Sequence, residues 1–209
     1  MIETVFPIKM LIDEFEVTYE EEVSLYSILQ AIFMSHLSKK GLGFVDAGNV
    51  ASIPIFTKEN LEGYPEIKKL YEFFAESFYK LANEYSPTTM EEIYLSMGET
   101  TGRLPFMRKG DYKQIHNHSG TSLVAVYYMG EVNNEKEGGK LVLHDPSFNN
   151  TMRTKPKPTH EIETKKNRIV IMPGYIWHEV TPYTGEDVRL AVVMNITLLD
   201  FTPIDNLDA

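Results

Sequence analysis

The sequence predicts a mainly β protein, a sandwich or barrel with helices on its outside. From about residue 91 the chain reads as eight short runs rich in β-branched and aromatic residues, with no helical pattern between them. Before residue 91, two segments have the apolar spacing of amphipathic helices. Because no linker-like composition separates these parts, we expect a single domain over residues 1–209, with a helical flank at 1–90 and the β core at 91–200.

Both predicted helices have a start signal and one apolar face. Thr18 followed by Glu21 fits a capping box at the start of the first helix, and Pro65 suits the first turn of the second. The apolar stripe of the first helix is Leu25, Ile28, Leu29, Ile32 and Phe33. The stripe of the second is Ile67, Leu70, Tyr71, Phe74, Phe78 and Leu81. We expect these faces to cover one sheet of the β core.

The predicted strands are short runs bounded by turn residues. In chain order they read EIYLSMG, DYKQIHNH, SLVAVYYM, GKLVLHD, THEIET, RIVIMP, WHEVTPY and VRLAVVMNITL. Polar stretches rich in Gly, Asn, Lys and Pro at 131–139 and 148–158 read as loops. Short strands in such number favour a sandwich or barrel over a parallel α/β sheet.

The composition narrows the classes of function. A net charge of -10 at pH 7 disfavours sequence-independent binding to nucleic acid. No apolar run approaches the ~20 residues that span a bilayer, so we expect no membrane partner. The absence of cysteine excludes disulfides, thiolate zinc sites and a cysteine nucleophile, and a cytoplasmic location fits it. A transition metal would need imidazole and carboxylate ligands, which favours iron, manganese, copper or nickel.

Three of the six histidines form a candidate metal site. His116 and His118 are two residues apart on a predicted strand, so their side chains share a face. His178 follows a chain break at Pro173 and Gly174 and opens another strand. Because an antiparallel barrel brings the end of one strand beside the start of another, we expect the three imidazoles to converge. His36 and His160, by contrast, read as structural and solvated residues.

The third ligand of this site has two candidates. A facial metal triad commonly combines two histidines with one carboxylate. Asp145 ends the predicted strand GKLVLHD and is the best-placed carboxylate, although Asp before Pro is also typical of a turn. If Asp145 does not bind, His118 completes a three-histidine site.

Arg189 suggests an anionic cosubstrate. The residue lies in VRLAVVMNI, an otherwise apolar strand, and a guanidinium that points inward from such a strand needs an anion. The alternative is that Arg189 faces solvent or pairs with Asp187. Beside a metal site, a dicarboxylic acid would satisfy an inward guanidinium with two parallel hydrogen bonds.

These segments resemble a known superfamily. HNH, SLVAVYYM, GGKLVLHDP and IVIMPGYIWHEVTPYTGEDVRLAVVMN are similar to the iron(II)- and 2-oxoglutarate-dependent oxygenases over about residues 110–197. More narrowly, they resemble the oxygenase sequences of bacterial and phage genomes that carry HxH in place of the usual HxD. The resemblance implies a double-stranded β-helix, a jelly-roll or cupin-like fold with flanking helices. It also implies iron(II) and 2-oxoglutarate as cofactors.

Position by position, the resemblance implies roles for individual residues. His116 would be the proximal iron ligand and His178 the distal one. Arg189 would form a salt bridge with the distal carboxylate of 2-oxoglutarate, and Tyr128 would hydrogen-bond to the same group. Trp177 would shape the mouth of the site, together with Tyr175.

The chain departs from the family at the HxD carboxylate, where it has His118. The iron would then be held by His116, Asp145 and His178, by the three histidines, or by two ligands and waters. The predicted catalytic centre is accordingly His116, His178 and Asp145, with His118 as the alternative ligand.

The implied activity is hydroxylation of a C–H bond, with release of succinate and CO₂. The expected substrate is a small molecule or a protein side chain. A cupin-type metal protein is the first alternative, either an isomerase or a dioxygenase that does not use 2-oxoglutarate. GDYKQIHNH and PGYIWH approximate the two cupin motifs, although no glutamate follows HNH at the expected interval. A non-catalytic binding scaffold is the second alternative, because HxD is missing.

Overall fold

Nine strands and five helices make up the part of the chain described by a computed structural model, residues 8–40, 53–100, 102–130, 134–146 and 159–198. In chain order they are β1 (Leu11–Glu14), α1 (Tyr19–Lys40), α2 (Lys58–Gly63), α3 (Pro65–Ala82), α4 (Met90–Gly98), β2 (Phe106–Met107), β3 (Lys113–His116), β4 (Leu123–Tyr128), α5 (Asn134–Glu137), β5 (Leu141–His144), β6 (Thr159–Ile162), β7 (Arg168–Pro173), β8 (His178–Val180) and β9 (Arg189–Ile196).

The strands form two antiparallel sheets that pack against each other. The larger sheet has the order β1-β7-β4-β9-β2, and the smaller one has the order β3-β8-β5-β6. Apolar side chains of both sheets form a buried cluster between them: Val124, Tyr128, Leu141, Leu143, Ile162, Val170, Met172, Ile176 and Ala191. This arrangement confirms the predicted mainly β class.

Side chains of the central strands alternate between two environments. In β9, Leu190, Val192 and Met194 pack into the larger core on the helical side of the sheet, whereas Arg189 and Ala191 face the space between the sheets. This is the two-residue period of a strand that is buried on both faces. The inward face of β9 therefore belongs to the cavity described below.

Helices α1, α3 and α4 cover the outer face of the larger sheet, as the periodicity of the first two predicted. The capping box of α1 is present: Oγ1 of Thr18 accepts from the amide of Glu21 at 3.2 Å, and Oε2 of Glu21 accepts from the amide of Thr18 at 2.9 Å. Pro65 occupies the first turn of α3. The fully buried residues of the larger core include Leu29 of α1 and Phe74 of α3, which confirms the predicted apolar faces.

The prediction of a strand at EIYLSMG is wrong, because these residues belong to α4. Thr89 and Glu92 form a reciprocal capping box at its start, with Oγ1 of Thr89 accepting from the amide of Glu92 at 3.2 Å. Ile93 and Met97, four residues apart, are completely buried in the larger core. A local capping signal and helical spacing therefore determine the structure of this short segment, despite its β-branched and aromatic residues.

The other seven predicted strands are present, and two further strands were not predicted. β1 and β2 are edge strands of four and two residues. Their pairing with β7 and β9 comes from distant parts of the chain, so local patterns do not reveal it. In the described residues no helix is long and apolar enough to cross a membrane. The single-domain organisation, with its boundaries at 1–90 and 91–200, stays a prediction.

Candidate functional site

Three imidazoles converge at one end of the smaller sheet. His116 is the last residue of β3 and lies directly opposite His178, the first residue of β8. His118 has left the strand, and its amide donates to the carbonyl of Gly174 at 2.8 Å. The ring centroids are 4.3 Å apart for His116 and His178, and 5.1 Å and 5.2 Å apart for the pairs that include His118. One ligand nitrogen of each ring lies within 4.8 Å of the others.

Each of these rings is held through its Nδ1 atom. Nδ1 of His116 is 2.7 Å from the carbonyl oxygen of Gln114, and Nδ1 of His178 is 2.9 Å from that of Ile176. Because a carbonyl oxygen can only accept, Nδ1 must be the protonated nitrogen of both neutral rings, and Nε2 keeps its lone pair. Nδ1 of His118 lies 2.9 Å from the side-chain amide of Asn195.

Burial keeps the three rings neutral at pH 7. Loss of solvation lowers the pKa of His178 to about 4 and that of His118 to about 4, and it also lowers the pKa of His116. Positive charge nearby lowers the pKa of His118 further, from His116 once that ring is protonated and from Arg103. Neutral imidazole is the form that binds a metal ion, so no proton has to leave before metal binds at neutral pH.

The structure does not bring Asp145 to the three histidines. Asp145 is exposed and follows the last residue of β5, where the chain has passed the end of the neighbouring strand β8. Within the described part of the chain, the only group of three or more candidate ligands is His116, His118 and His178. Asp145 and His118 were the two predicted candidates for the third ligand. Of these two, His118 is the one that lies close to the other two rings.

Arg189 is buried beside Tyr128 between the sheets. Only 8 % of Arg189 is exposed, and its guanidinium carbon lies 5.3 Å from the centre of the Tyr128 ring. Nη1 of Arg189 contacts the sulfur of Met107 at 3.0 Å. Nε of Arg189 and the hydroxyl of Tyr128 are buried without a hydrogen-bond partner among the described residues. The alternative of a solvent-facing Arg189 paired with Asp187 is thus wrong.

Burial disfavours the charged form of both Arg189 and Tyr128 and shifts their pKa values accordingly. Loss of solvation lowers the pKa of Arg189 and raises that of Tyr128 to about 12. Tyr128 therefore keeps its hydroxyl proton and can donate a hydrogen bond at pH 7. A buried guanidinium without a carboxylate is costly, and an anion in the cavity would offset that cost.

A single cavity of about 190 Å³ joins these two groups of residues. The three histidines, Arg189 and Tyr128 all line it. Its apolar walls come from the inward faces of β4, β5, β8 and β9: Val124, Val126, Leu141, Val180, Ala191 and Val193. Trp177 and Tyr175, predicted to shape its mouth, are about half exposed and lie outside the cavity lining.

The residues present fit an iron ion and a 2-oxo dicarboxylic acid. Three neutral imidazoles on one side of an ion leave coordination positions for a chelating ligand. Across the cavity, Arg189 and Tyr128 present donors without partners in the described chain, as a distal carboxylate requires.

Sequence reasoning missed Asn195 and Met107. Asn195 shares the two-residue alternation of Arg189 in VRLAVVMNI, so its inward position could have been deduced from the same strand. Met107 lies in the unpredicted strand β2, opposite Arg189. No local signal in the sequence points to that contact.

Residues 104–195 match the family model described as "Putative 2OG-Fe(II) oxygenase". This match covers both histidine segments and Arg189, and it confirms the resemblance found in the sequence. The cofactors of that family are iron(II) and 2-oxoglutarate, so the cofactor prediction is confirmed at the level of the family. No curated protein sequence is significantly similar to this chain.

Solved structures similar to this chain share its fold at low sequence identity. A prolyl hydroxylase from Trichoplax adhaerens, in complex with a hypoxia inducible factor peptide fragment, has a TM-score of 0.58 and 13 % identity, covering 90 % of this chain and 83 % of that one. AviO1 from Streptomyces viridochromogenes Tue57 has a TM-score of 0.59 and 12 % identity, covering 91 % and 90 %. HygX from Streptomyces hygroscopicus, with nickel and 2-oxoglutarate bound, has a TM-score of 0.55 and 12 % identity, covering 93 % and 85 %. These likenesses confirm the double-stranded β-helix fold.

Proposed function

Since residues 104–195 match the family model of the 2OG-Fe(II) oxygenases, we propose that this protein hydroxylates a C–H bond of its substrate and converts 2-oxoglutarate to succinate and CO₂. One structural observation supports this proposal in addition to the family match. Arg189 is buried without a carboxylate partner among the described residues, in the same cavity as three neutral imidazoles. A metal site alone would not need that guanidinium. A dicarboxylic cosubstrate beside the metal does.

We assign the metal to His116, His118 and His178, with His118 taking the place of the family's carboxylate. Asp145, the other candidate, is exposed and outside this group. When bound, iron(II) supplies the centre at which dioxygen is reduced and the 2-oxo acid is oxidatively decarboxylated. The three rings would hold that ion through one nitrogen each.

Arg189 and Tyr128 orient the cosubstrate in this proposal. The guanidinium would donate hydrogen bonds to the distal carboxylate at the buried end of the cavity, and the Tyr128 hydroxyl would donate to the same group. Apolar side chains such as Val126 and Ala191 keep water from the space between that carboxylate and the metal. The reactive end of the 2-oxo acid is thereby directed toward the histidines.

We place the substrate among small molecules and protein side chains. The Trichoplax neighbour holds a peptide, which supports a protein side chain as one option. The net charge of -10 argues against nucleic acid. We also expect a cytoplasmic location.

Succinate formation tests the proposal. Purified protein is incubated aerobically with iron(II) and 2-oxoglutarate, and succinate is measured with and without the variants His178→Ala and Arg189→Leu. We expect succinate from the wild-type protein, none from His178→Ala, and a large rise in the 2-oxoglutarate concentration that Arg189→Leu needs. Succinate formation that survives His178→Ala would contradict the proposal.

A dioxygenase that does not use 2-oxoglutarate is the second candidate. The carboxylate-free set of three imidazoles favours it, since the family's usual ligand set includes a carboxylate. Arg189 distinguishes the two candidates. If the metal-loaded protein binds 2-oxoglutarate no better than Arg189→Leu does, the second candidate replaces the first.

A further inference from the structure

Asn195 is a polar residue at the metal site that the proposed function leaves unused. It lies on β9 opposite Val124, at the same alternation as Arg189. Its Nδ2 atom is 2.9 Å from Nδ1 of His118. Its Oδ1 atom is buried and has no hydrogen-bond partner among the described residues. The side chain of Asn195 therefore contacts the candidate ligand His118 through Nδ2. Its oxygen is left without a hydrogen-bond donor among the described residues.

The direction of this hydrogen bond decides whether His118 can bind a metal. If the Asn195 amide donates its N–H to Nδ1, the proton of the neutral ring sits on Nε2, and that nitrogen has no lone pair for a metal. If the amide is turned by 180°, Oδ1 accepts from Nδ1–H and Nε2 is free to bind. The buried Oδ1 then also gains a donor.

His118 is the only one of the three ligands for which this choice exists. Backbone carbonyls of Gln114 and Ile176 contact Nδ1 of His116 and His178, and a carbonyl enforces a proton on Nδ1. An amide can take either role. The tautomer of His118 thus depends on how the side chain of Asn195 is turned.

We propose that Asn195 is a positioning residue: its carbonyl oxygen accepts the Nδ1–H of His118 and directs the Nε2 lone pair of that ring to the metal. This inference rests on the proposed three-histidine site. It also explains how a histidine can stand where the family has a carboxylate. Both oxygens of a carboxylate carry lone pairs in any orientation, whereas an imidazole binds only in the correct tautomer, so a His ligand at this position requires a hydrogen-bond acceptor behind it.

Metal affinity of Asn195 variants tests the proposal. Cobalt(II) is titrated anaerobically into the full-length protein against a competing chelator. We expect Asn195→Leu to bind cobalt(II) about 10 to 100 times more weakly, the usual effect of losing such an outer partner. The ionised carboxylate of Asn195→Asp can only accept from Nδ1–H, so this variant should keep the wild-type affinity or exceed it. Gln114→Leu is the matched control, because it removes an exposed side-chain amide near the same site and leaves the backbone carbonyl that contacts His116 in place, so it should change little.

The tautomer itself is read by nitrogen NMR of the zinc-loaded protein with labelled histidine. We expect His118 to carry its proton on Nδ1 and the metal on Nε2 in the wild type and in Asn195→Asp. A proton on Nε2 of His118 in the zinc-loaded wild type would overturn the proposal, even if Asn195→Leu failed to fold. So would a folded Asn195→Leu with wild-type cobalt affinity. If the tautomer and affinities come out as expected and no succinate forms, the proposed oxygenase function fails while the role of Asn195 stands.

Discussion

At the scale of single residues, burial sets the protonation state of the candidate ligands. His178 is 4 % exposed, and burial lowers its pKa to about 4, whereas a histidine in the unfolded chain has a pKa near 6.5. Between these two pH values the unfolded state binds the proton and the folded state does not. The folded state therefore loses stability as the pH falls from about 6.5 to 4.

We predict that the metal-free protein becomes less stable across this pH window. The contribution of His178 should be about 1 to 3 kcal/mol, measured as the free energy of unfolding in denaturant with a chelator present. The control is His178→Ala. Its free energy of unfolding differs from that of the wild type because the missing imidazole leaves an empty space, but the decrease in this free energy between pH 6.5 and pH 4 should be shallower. An unchanged slope in that variant would show that His178 titrates normally in the folded state.

Tyr128 illustrates how a functional residue differs from a structural one in the same strand. Its hydroxyl is buried without a partner in the described chain, whereas the hydroxyl of Tyr127, on the other face of β4, donates to Oδ1 of Asn167 at 2.8 Å. An unpaired buried hydroxyl costs stability, and a paired one contributes to it. The two tyrosines therefore make a matched pair for mutation.

We predict that Tyr128→Phe leaves the ligand-free protein as stable as the wild type or up to about 1 kcal/mol more stable, while weakening 2-oxoglutarate binding about tenfold. Tyr127→Phe should destabilise the protein by about 1 kcal/mol and leave 2-oxoglutarate binding unchanged. Chemical denaturation and titration of the metal-loaded protein measure the two effects. A loss of stability in Tyr128→Phe without a loss of affinity would assign this residue to the core alone.

At the scale of the elements, strand periodicity predicted much of the site. The inward position of Arg189 in VRLAVVMNI was one of two alternatives, and the role of Tyr128 was implied by the family resemblance; the structure places both side chains at the cavity. The pairing of His116 with His178 required only that β3 and β8 be neighbours in an antiparallel sheet. These features depend on the two-residue period, which a single sequence reveals.

The position of His118 was not predictable in the same way. The expectation that His116 and His118 share a face assumed a continuous strand, but β3 ends at His116 and its pairing shifts between Lys113 and His116. His118 reaches the other rings from a turn, in which the amide of Thr121 donates to its carbonyl at 3.0 Å. Irregularities of this kind arise from contacts between distant segments, so local sequence patterns do not reveal them.

Gly174 allows that turn to approach the chain between β7 and β8. A Cβ atom at Gly174 would lie 2.2 Å from the carbonyl oxygen of Thr121 and 2.9 Å from that of His118. Both contacts are with backbone atoms, which cannot move aside as a flexible side chain would. The missing side chain is therefore a requirement for bringing His118 to the site.

We predict that Gly174→Ala displaces the turn that carries His118. The protein should lose about 1 to 3 kcal/mol of stability from overpacking, and it should bind cobalt(II) more weakly than the wild type. Gly130→Ala is the control, since a Cβ atom there meets nothing within 4 Å. If Gly174→Ala keeps wild-type metal affinity, the turn is not needed to place His118.

At the scale of the whole molecule, the two faces of the larger sheet have separate tasks. One face packs on α1, α3 and α4 and forms the larger core, while the other encloses the cavity with the smaller sheet. The apolar packing of the helical side supports β9, whose inner face carries Arg189 without a carboxylate partner in the described chain, while the three neutral imidazoles lie in or beside the smaller sheet. Such polar groups are costly in a ligand-free protein, and that cost is recovered when ligands bind.

We predict that the metal stabilises the fold by itself and that 2-oxoglutarate stabilises it further only after the metal has bound. A ligand that binds only the folded state raises the melting temperature, by the equivalent of about 2.7 kcal/mol at a concentration of 100 Kd. Cobalt(II) should raise the melting temperature alone, whereas 2-oxoglutarate should add a further rise only when the metal is present. Glutarate, which has both carboxylates but no oxo group to chelate the metal, should add less.

Two variants separate the two binding sites in this measurement. Arg189→Leu should keep the shift from cobalt(II) and lose the additional shift from 2-oxoglutarate, because the histidines are intact and the distal carboxylate has lost its partner. His178→Ala should lose both, since the chelate needs the metal. Thermal unfolding followed by circular dichroism measures these shifts. If 2-oxoglutarate raises the melting temperature equally without metal, the dicarboxylic acid binds through the guanidinium alone and the two groups of residues do not form one site.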